Sequence, residues 1–185
     1  MIDIHTHSQL SHDGKFPLEE MISAAENLGL RYYAITEHLD RDYIYFDRLK
    51  SCRQLDVIKY RKDREAFLKT YVPKNDMYLA FGLEAGYSKE SMFDTKEILG
   101  NENLDFVINS VHTIASGEDP YTKYYYEINK TKTDAYNKYL DAVYESLFVP
   151  YDYQVVGHLG YVIRYAPYDN ISICTPEFQK KIDDI

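Results

Sequence analysis

The chain has 185 residues, enough for one domain with a sizeable core, and its 45% hydrophobic and 28% charged composition is that of a globular protein. A net charge of −9 counts against a nucleic-acid partner, because binding a polyanion needs clustered Lys and Arg. No apolar run approaches the ~20 residues that span a bilayer and the N-terminus lacks a signal pattern, so no membrane partner and a cytoplasmic location are expected.

The elements read as alternating strands and helices. A strand covers 2–7 and leads to a turn at Asp13-Gly14. A helix follows with Pro17 near its first turn, a stripe of Leu18, Met21, Ile22, Ala25 and Leu28, and Gly29 as its C-terminal cap. Strands are predicted at 32–36, 77–83, 104–111 and 153–156, and helices at 47–69, 88–99 and 133–148. The last of these helices carries Tyr136, Tyr139, Leu140, Val143 and Leu147 on one face. Thr175-Pro176 reads as the cap and first turn of a final helix. The stretch 113–131 is a long connection holding Tyr121, Tyr124, Tyr125 and Tyr126. Such a (βα) series implies a largely parallel sheet or barrel.

Cys52 and Cys174 give no disulfide framework or CxxC motif and read as free thiols. The chain has twenty tyrosines and no tryptophan, which core packing with a hydrogen-bonded tip explains without a functional role.

Chemistry gathers at the strand ends. The first strand gives His5 and His7, which share a face because strand side chains alternate. His12 and Asp13 lie in the turn after it. The next strands give Glu37-His38, Glu84, His112 and His158. One histidine after one strand is usually a surface or hydrogen-bonded residue. Repetition at five successive strand ends is not accidental, since these ends gather on one side of a parallel α/β fold. Imidazole and carboxylate together suit Zn, Mn or Fe. The donors exceed the needs of one ion, so two or three divalent metal ions are expected, with Glu84 able to bridge two. Such a site supplies hydroxide near neutral pH and clamps both oxygens of an in-line displacement. Phosphoester hydrolysis is the natural reaction class. No P-loop, dinucleotide fingerprint or nucleophile elbow is present.

His5-Thr6-His7-Ser8, Thr36-Glu37-His38, Gly82-Leu83-Glu84, Ser110-Val111-His112 and Gly157-His158-Leu159 resemble the successive motifs of the PHP (polymerase and histidinol phosphatase) superfamily, and its histidinol-phosphatase-like members above all. The resemblance runs from residue 1 to about 170. It implies an α/β fold, a distorted seven-stranded (βα) barrel with a trinuclear metal site. By the same resemblance His5, His7 and Glu84 would hold one ion. Glu84 and His112, with His158 beside them, would hold a second. Asp13 and His38 would contribute to a third, with His12 the second choice for the Asp13 role. His5, His7, Glu84, His112 and His158 would carry catalysis by metal-bound hydroxide on a small phosphorylated substrate, a phosphate monoester. Arg164, after the fifth strand, is the candidate for binding its phosphate.

The chain departs from the family pattern. A further strand with an Asp-x-His pair near a Gly-Ser is absent, Gly160 stands where Asp is common, and Asn109 stands where Gly is common. The expectation is therefore a single PHP domain, 1–185, lacking the C-terminal part of the barrel, with about five to six βα units. A homo-oligomer or a swapped element would complete it. Two other readings stand beside the phosphatase: a PHP exonuclease or phosphodiesterase, and a non-catalytic metal-binding remnant.

Overall fold

The computed structural model describes residues 1–41, 54–114 and 118–185. Five strands, β1 (Ile2–Thr6), β2 (Tyr32–Leu39), β3 (Tyr78–Gly86), β4 (Phe106–Ser110) and β5 (Val155–Val156), form one sheet in sequence order. Every neighbouring pair is parallel. The crossovers carry α1 (Leu18–Asn27), α2 (Val57–Thr70), α3 (Met92–Gly100), and the pair α4 (Lys123–Ile128) and α5 (Lys132–Ser146). A 3₁₀ turn (Leu159–Ile163) and α6 (Pro176–Asp184) follow β5. Steady progress from each strand to the next builds a barrel wall, whereas doubly wound sheets reverse direction. The wall is strongly curled. Four flat strand spacings would separate β1 from β5 by ~19 Å. Yet the rings of His5 and His158, just past β5, stack with centroids 5.7 Å apart. The molecule is a curled half-barrel of the expected (βα) class.

Alternation sorts each strand between two faces. Tyr33 and Ile35 of β2, Phe81 and Leu83 of β3 and Val107 of β4 point outward into a core with Leu18, Ile22 and Ala25 of α1 and Tyr60 of α2. The intervening residues line the concave face, among them His38 and Glu84, which are register partners on β2 and β3. A second core gathers Tyr125, Tyr126, Tyr136, Tyr139, Leu140 and Phe178 under α4, α5 and α6.

β1 reaches the concave face through a bulge. Asp3 pairs with Tyr33 but Thr6 pairs with Ile35, so three steps on β1 match two on β2. In unbroken register His5 and His7 would share the outward side of Asp3. The extra residue turns both imidazoles inward, a known use of bulges beside functional sites.

Several boundaries differ from the sequence pattern. β2 and β3 run on through the His38 and Glu84 motifs, because both remain in register to Leu39 and Ala85. β4 and β5 are shorter at their starts because side chains replace ladder groups there. Phe81 N–H donates to Asp105 Oδ2 at 2.7 Å, and Val107 N–H donates to Gln154 Oε1 at 2.8 Å. The expected 47–69 helix begins at Val57 on the Asp56 cap, and 47–53 lies outside the described residues, as does Cys52. Cys174 is an exposed free thiol. The connection 113–131 contains α4, which caps on Thr122 and buries Tyr125 and Tyr126 while Tyr121 and Tyr124 stay exposed. Leu28 does not belong to the buried stripe: it is the C-cap of α1 and 70% exposed. Gly29 then takes φ +69°, the left-handed turn that glycine enters without steric cost. Among the described residues no helix is long and apolar enough to cross a membrane.

Leu83→Ala, at a fully buried position, should destabilise the fold by about 2–5 kcal/mol in urea unfolding. Leu28→Ala should stay within about 0.5 kcal/mol of the parent. Equal losses at the two positions would contradict this assignment of the core.

Candidate metal centre

Glu84 sits near the end of β3, fully buried, at the centre of five histidines. Its Oε2 lies 3.2 Å from His5 Nε2, 3.2 Å from His7 Nε2 and 3.1 Å from His38 Nδ1. Its Oε1 lies 3.0 Å from His112 Nε2 and 2.9 Å from His158 Nε2, and accepts a hydrogen bond from Ser110 Oγ at 2.8 Å. Asp13 closes one side, 3.1 Å from His7 Nδ1 and 3.5 Å from His38 Nε2. All seven expected metal ligands, His5, His7, Asp13, His38, Glu84, His112 and His158, therefore converge. His12 stacks on His38 with centroids 4.8 Å apart, and Asp13 rather than His12 joins His7 and His38 in a triad of donors that could hold a metal.

The donors fit metal ions on their own geometry. His7 Nε2, His38 Nδ1 and Glu84 Oε2 are buried and approach one another, yet none has an aligned hydrogen-bond partner among the described residues. Buried polar atoms left unmatched in this way are costly unless something binds them. Donors around one tetrahedral zinc at about 2.0–2.1 Å would stand ~3.3 Å apart, close to the spacings seen. Among the described residues, four groups of three donors lie within 4.8 Å: His5/His7/Glu84, His7/Asp13/His38, His38/Asp40/His112 and Glu84/His112/His158.

The electrostatics match. Burial alone would raise the Glu84 carboxyl, but His112, His158 and His5 hold it well below the ordinary carboxylate range. Burial also opposes charge on His112, and Asp40 and Glu84 outweigh it, keeping the imidazole well above its ordinary value. For His38 burial is likewise overcome, by Asp13 and Asp40, which push it from 6.5 up to about 9. His7 is raised by Asp13 and Glu84 against burial, and His12 is lowered by burial and by His38.

The roles of two carboxylates escape a reading by sequence. Glu37 is fully buried and faces away from the cluster. It accepts from Ser8 N–H at 3.1 Å and from Ser11 Oγ, while Ser11 Oγ accepts from His38 N–H at 2.9 Å. Glu37 thus clamps the turn that delivers Asp13. Asp40 lies one residue past β2 and accepts from His112 Nδ1 at 2.7 Å. Nothing in its local pattern marks it, since its partner is 72 residues away.

At the mouth of the site, Tyr161 lies against His158 and His112, with centroids 5.0 and 5.6 Å apart. Tyr121 stacks beyond it at 6.0 Å and meets Tyr165 edge-on at 4.5 Å. Arg164, exposed at the end of the 3₁₀ turn, holds its guanidinium 5.2 Å above the Tyr121 ring. The Tyr121 phenol is raised by its hydrogen bond with Tyr165 and by burial, with the Arg164 guanidinium opposing.

The PHP domain family model matches residues 3–185. A protein of Clostridium acetobutylicum named "Probable histidinol-phosphatase" is 29% identical over 187 residues, covering 100% of this chain and 67% of that protein. Histidinol-phosphatase of Lactococcus lactis subsp. lactis is 29% identical over 172 residues, 93% of this chain and 61% of that protein. The crystal structure of histidinol phosphate phosphatase from Lactococcus lactis, complexed with zinc, L-histidinol and phosphate, is similar with a TM-score of 0.83 at 26% identity. That match covers 99% of this chain and 66% of the other. The chain spans about two thirds of the length of these relatives.

Glu84→Gln and His7→Ala should each lower bound zinc or manganese, measured by elemental analysis, while far-UV circular dichroism stays native. Unchanged metal content in both variants would refute the ligand set. Metal uptake should also release protons. His38 carries a proton below about 9 in the metal-free fold, so metal affinity should rise with pH until that value is passed. The raised value has a matching sign for the metal-free protein: the stability it contributes is complete below 6.5 and fades as pH rises through about 9. Calorimetric titrations in buffers of different ionisation enthalpy measure the proton count, and zero release at pH 7 would contradict the assignment.

Proposed function

The chain belongs to the PHP domain family, and from that premise we propose that it is a metal-dependent phosphomonoesterase of the histidinol-phosphate type. The observation that carries the reading is the convergence of unmatched buried donors, His7 Nε2, His38 Nδ1 and Glu84 Oε2, at the concave end of the sheet. Two or three divalent ions, zinc, manganese or iron, would supply Lewis acidity toward a phosphoryl oxygen and lower the pKa of water.

The chain's own residues divide the work. His5, His7 and Glu84 form one holding group, and Glu84, His112 and His158 a second that shares the same carboxylate. Asp13 and His38, beside His7, would contribute to the third. Ser110 fixes the Glu84 carboxylate by its hydrogen bond to Oε1. Arg164 is the group to bind the phosphate, since a guanidinium presents paired N–H donors to two phosphate oxygens. It lies over Tyr121, two rings away from His158, without an acidic partner among the described residues. Tyr165, exposed and edge-on to Tyr121, offers an aromatic ring that suits a flat or cationic leaving group such as an imidazole or ammonium. In the reaction a water oxygen forms the new bond to phosphorus, the ester P–O bond breaks, and the alcohol leaves with a proton. No covalent enzyme intermediate is needed. Residues 1–185 are read as one domain of this kind.

Metal-loaded protein should release phosphate from histidinol phosphate, and a chelator should abolish the release. Arg164→Ala should lower kcat/KM by roughly 10–100-fold, the worth of about 1.5–3 kcal/mol for a hydrogen bond to a charged group, mainly through KM. Absence of turnover with both zinc and manganese bound would sink the substrate assignment.

A further inference from the structure

We propose that Asp40 is a positioning residue of the metal centre: it accepts the Nδ1 proton of His112 and so commits the opposite nitrogen, Nε2, to metal binding. The inference rests on the metal-centre reading above and deepens it.

The chemistry is one of tautomers. A neutral imidazole has one N–H and one lone pair, and a ligand nitrogen must present the lone pair. A carboxylate can only accept, so Asp40 Oδ1 at 2.7 Å from His112 Nδ1 requires the proton on Nδ1. Nε2, which contacts Glu84 Oε1 at 3.0 Å, is then the nitrogen left to present a lone pair to an ion. Both side chains are shielded from water, with 9% of Asp40 and 5% of His112 exposed, so solvent cannot substitute for the carboxylate. Carboxylate–histidine pairs of this kind orient the ring and raise its basicity.

The distance separates this role from direct ligation. A spacing of 2.7 Å is that of a charge-assisted N–H···O contact. Two donors sharing one ion would stand ~3.3 Å apart. Asp40 Oδ2 also lies 3.1 Å from His38 Nδ1, but that nitrogen has no aligned hydrogen-bond partner among the described residues, so His112 is the ring Asp40 fixes.

The neighbouring strand makes room for the contact. Gly86 follows Glu84 by two residues on the same face of β3. A Cβ at 86 would fall 1.9 Å from Asp40 Oδ1 and 3.4 Å from His112 Nδ1. The strand thus offers a ligand and, one pleat later, the gap into which the Asp40 carboxylate fits.

The test uses the full chain and zinc, with chelator competition for affinity, elemental analysis for stoichiometry and the visible spectrum of the cobalt-substituted protein for ligand geometry. Asp40→Asn keeps the shape, removes the charge and allows the wrong tautomer. It should weaken zinc binding by roughly 10–100-fold, shift the cobalt bands and lower kcat more than KM, with native far-UV circular dichroism. Wild-type affinity with an unchanged cobalt spectrum would overturn the proposal. So would clean loss of one zinc equivalent with the others unaffected, because Asp40 would then be a ligand itself. If Asp40→Asn does not fold, Gly86→Ala tests the same contact: weakened zinc binding supports it and retained binding overturns it. If the wild-type chain takes up no zinc or cobalt, the metal-centre reading itself fails, a result distinct from a failure at Asp40 alone.

Discussion

A carboxylate with no access to water has to be surrounded by partners, and Glu84 sets that requirement for the whole concave face. Burying a lone charge costs several kcal/mol, and only close partners offset it. Glu84 offsets part of the cost at Oε1, where two nitrogens and a hydroxyl hydrogen-bond to it, while three nitrogens stand around Oε2 without an aligned hydrogen bond, an arrangement that a bound cation completes. No single strand or helix could supply that shell. The sheet must curl until its first and last strands face each other, and β1 must bulge so that His5 and His7 turn inward. Small residues lower on the same face, Ala34 and Ala80 among them, let the wall bend tightly above the helix-covered core.

The tyrosines serve the same geometry from outside. Helix-borne phenols donate to backbone carbonyls of the wall and of the turn that follows it. Tyr60 of α2 donates to the Gly82 carbonyl at 3.0 Å. Tyr139 of α5 donates to the carbonyl of His158 at 3.1 Å, so the α5 core grips a residue of the cluster by its backbone. Tyr126 of α4 reaches the Val162 carbonyl at 2.6 Å and ties down the turn that ends in Arg164. Tryptophan carries its donor on a wider ring and could not reach these carbonyls in the same space. The composition that looked neutral in the sequence is thus a structural device: an apolar body in the core and one hydrogen bond at the rim.

What could be read from the chain follows the range of each interaction. Strand alternation is local, so the shared face of His5 and His7 was legible, but which face was not, because the bulge that decides it depends on pairing with β2. The helix stripe was legible through Ala25 and failed at Leu28, where the turn into Gly29 lifts the side chain off the core. Strand starts at β4 and β5 shifted because Asp105 and Gln154 use side-chain oxygens in place of the ladder, which no periodicity encodes. Asp40 was illegible for a related reason, its partner lying far along the chain. The nearest signal was Gly86, since a glycine inside a strand often marks close approach by another group.

The span of the Glu84 shell has a kinetic consequence. His112 joins it across 28 residues and His158 across 74, while β1 must arrive from the far end of the chain. Closing such loops costs entropy before any contact repays it, and topologies dominated by distant pairings fold slowly. The ligand shell is therefore among the last features to assemble, and it has no stable precursor in a partly folded chain. Ions that bind only the finished shell act as a latch on the native state: they leave the folding rate alone and slow unfolding, because the sheet edges cannot part while the donors of β1 and β5 hold the same cluster.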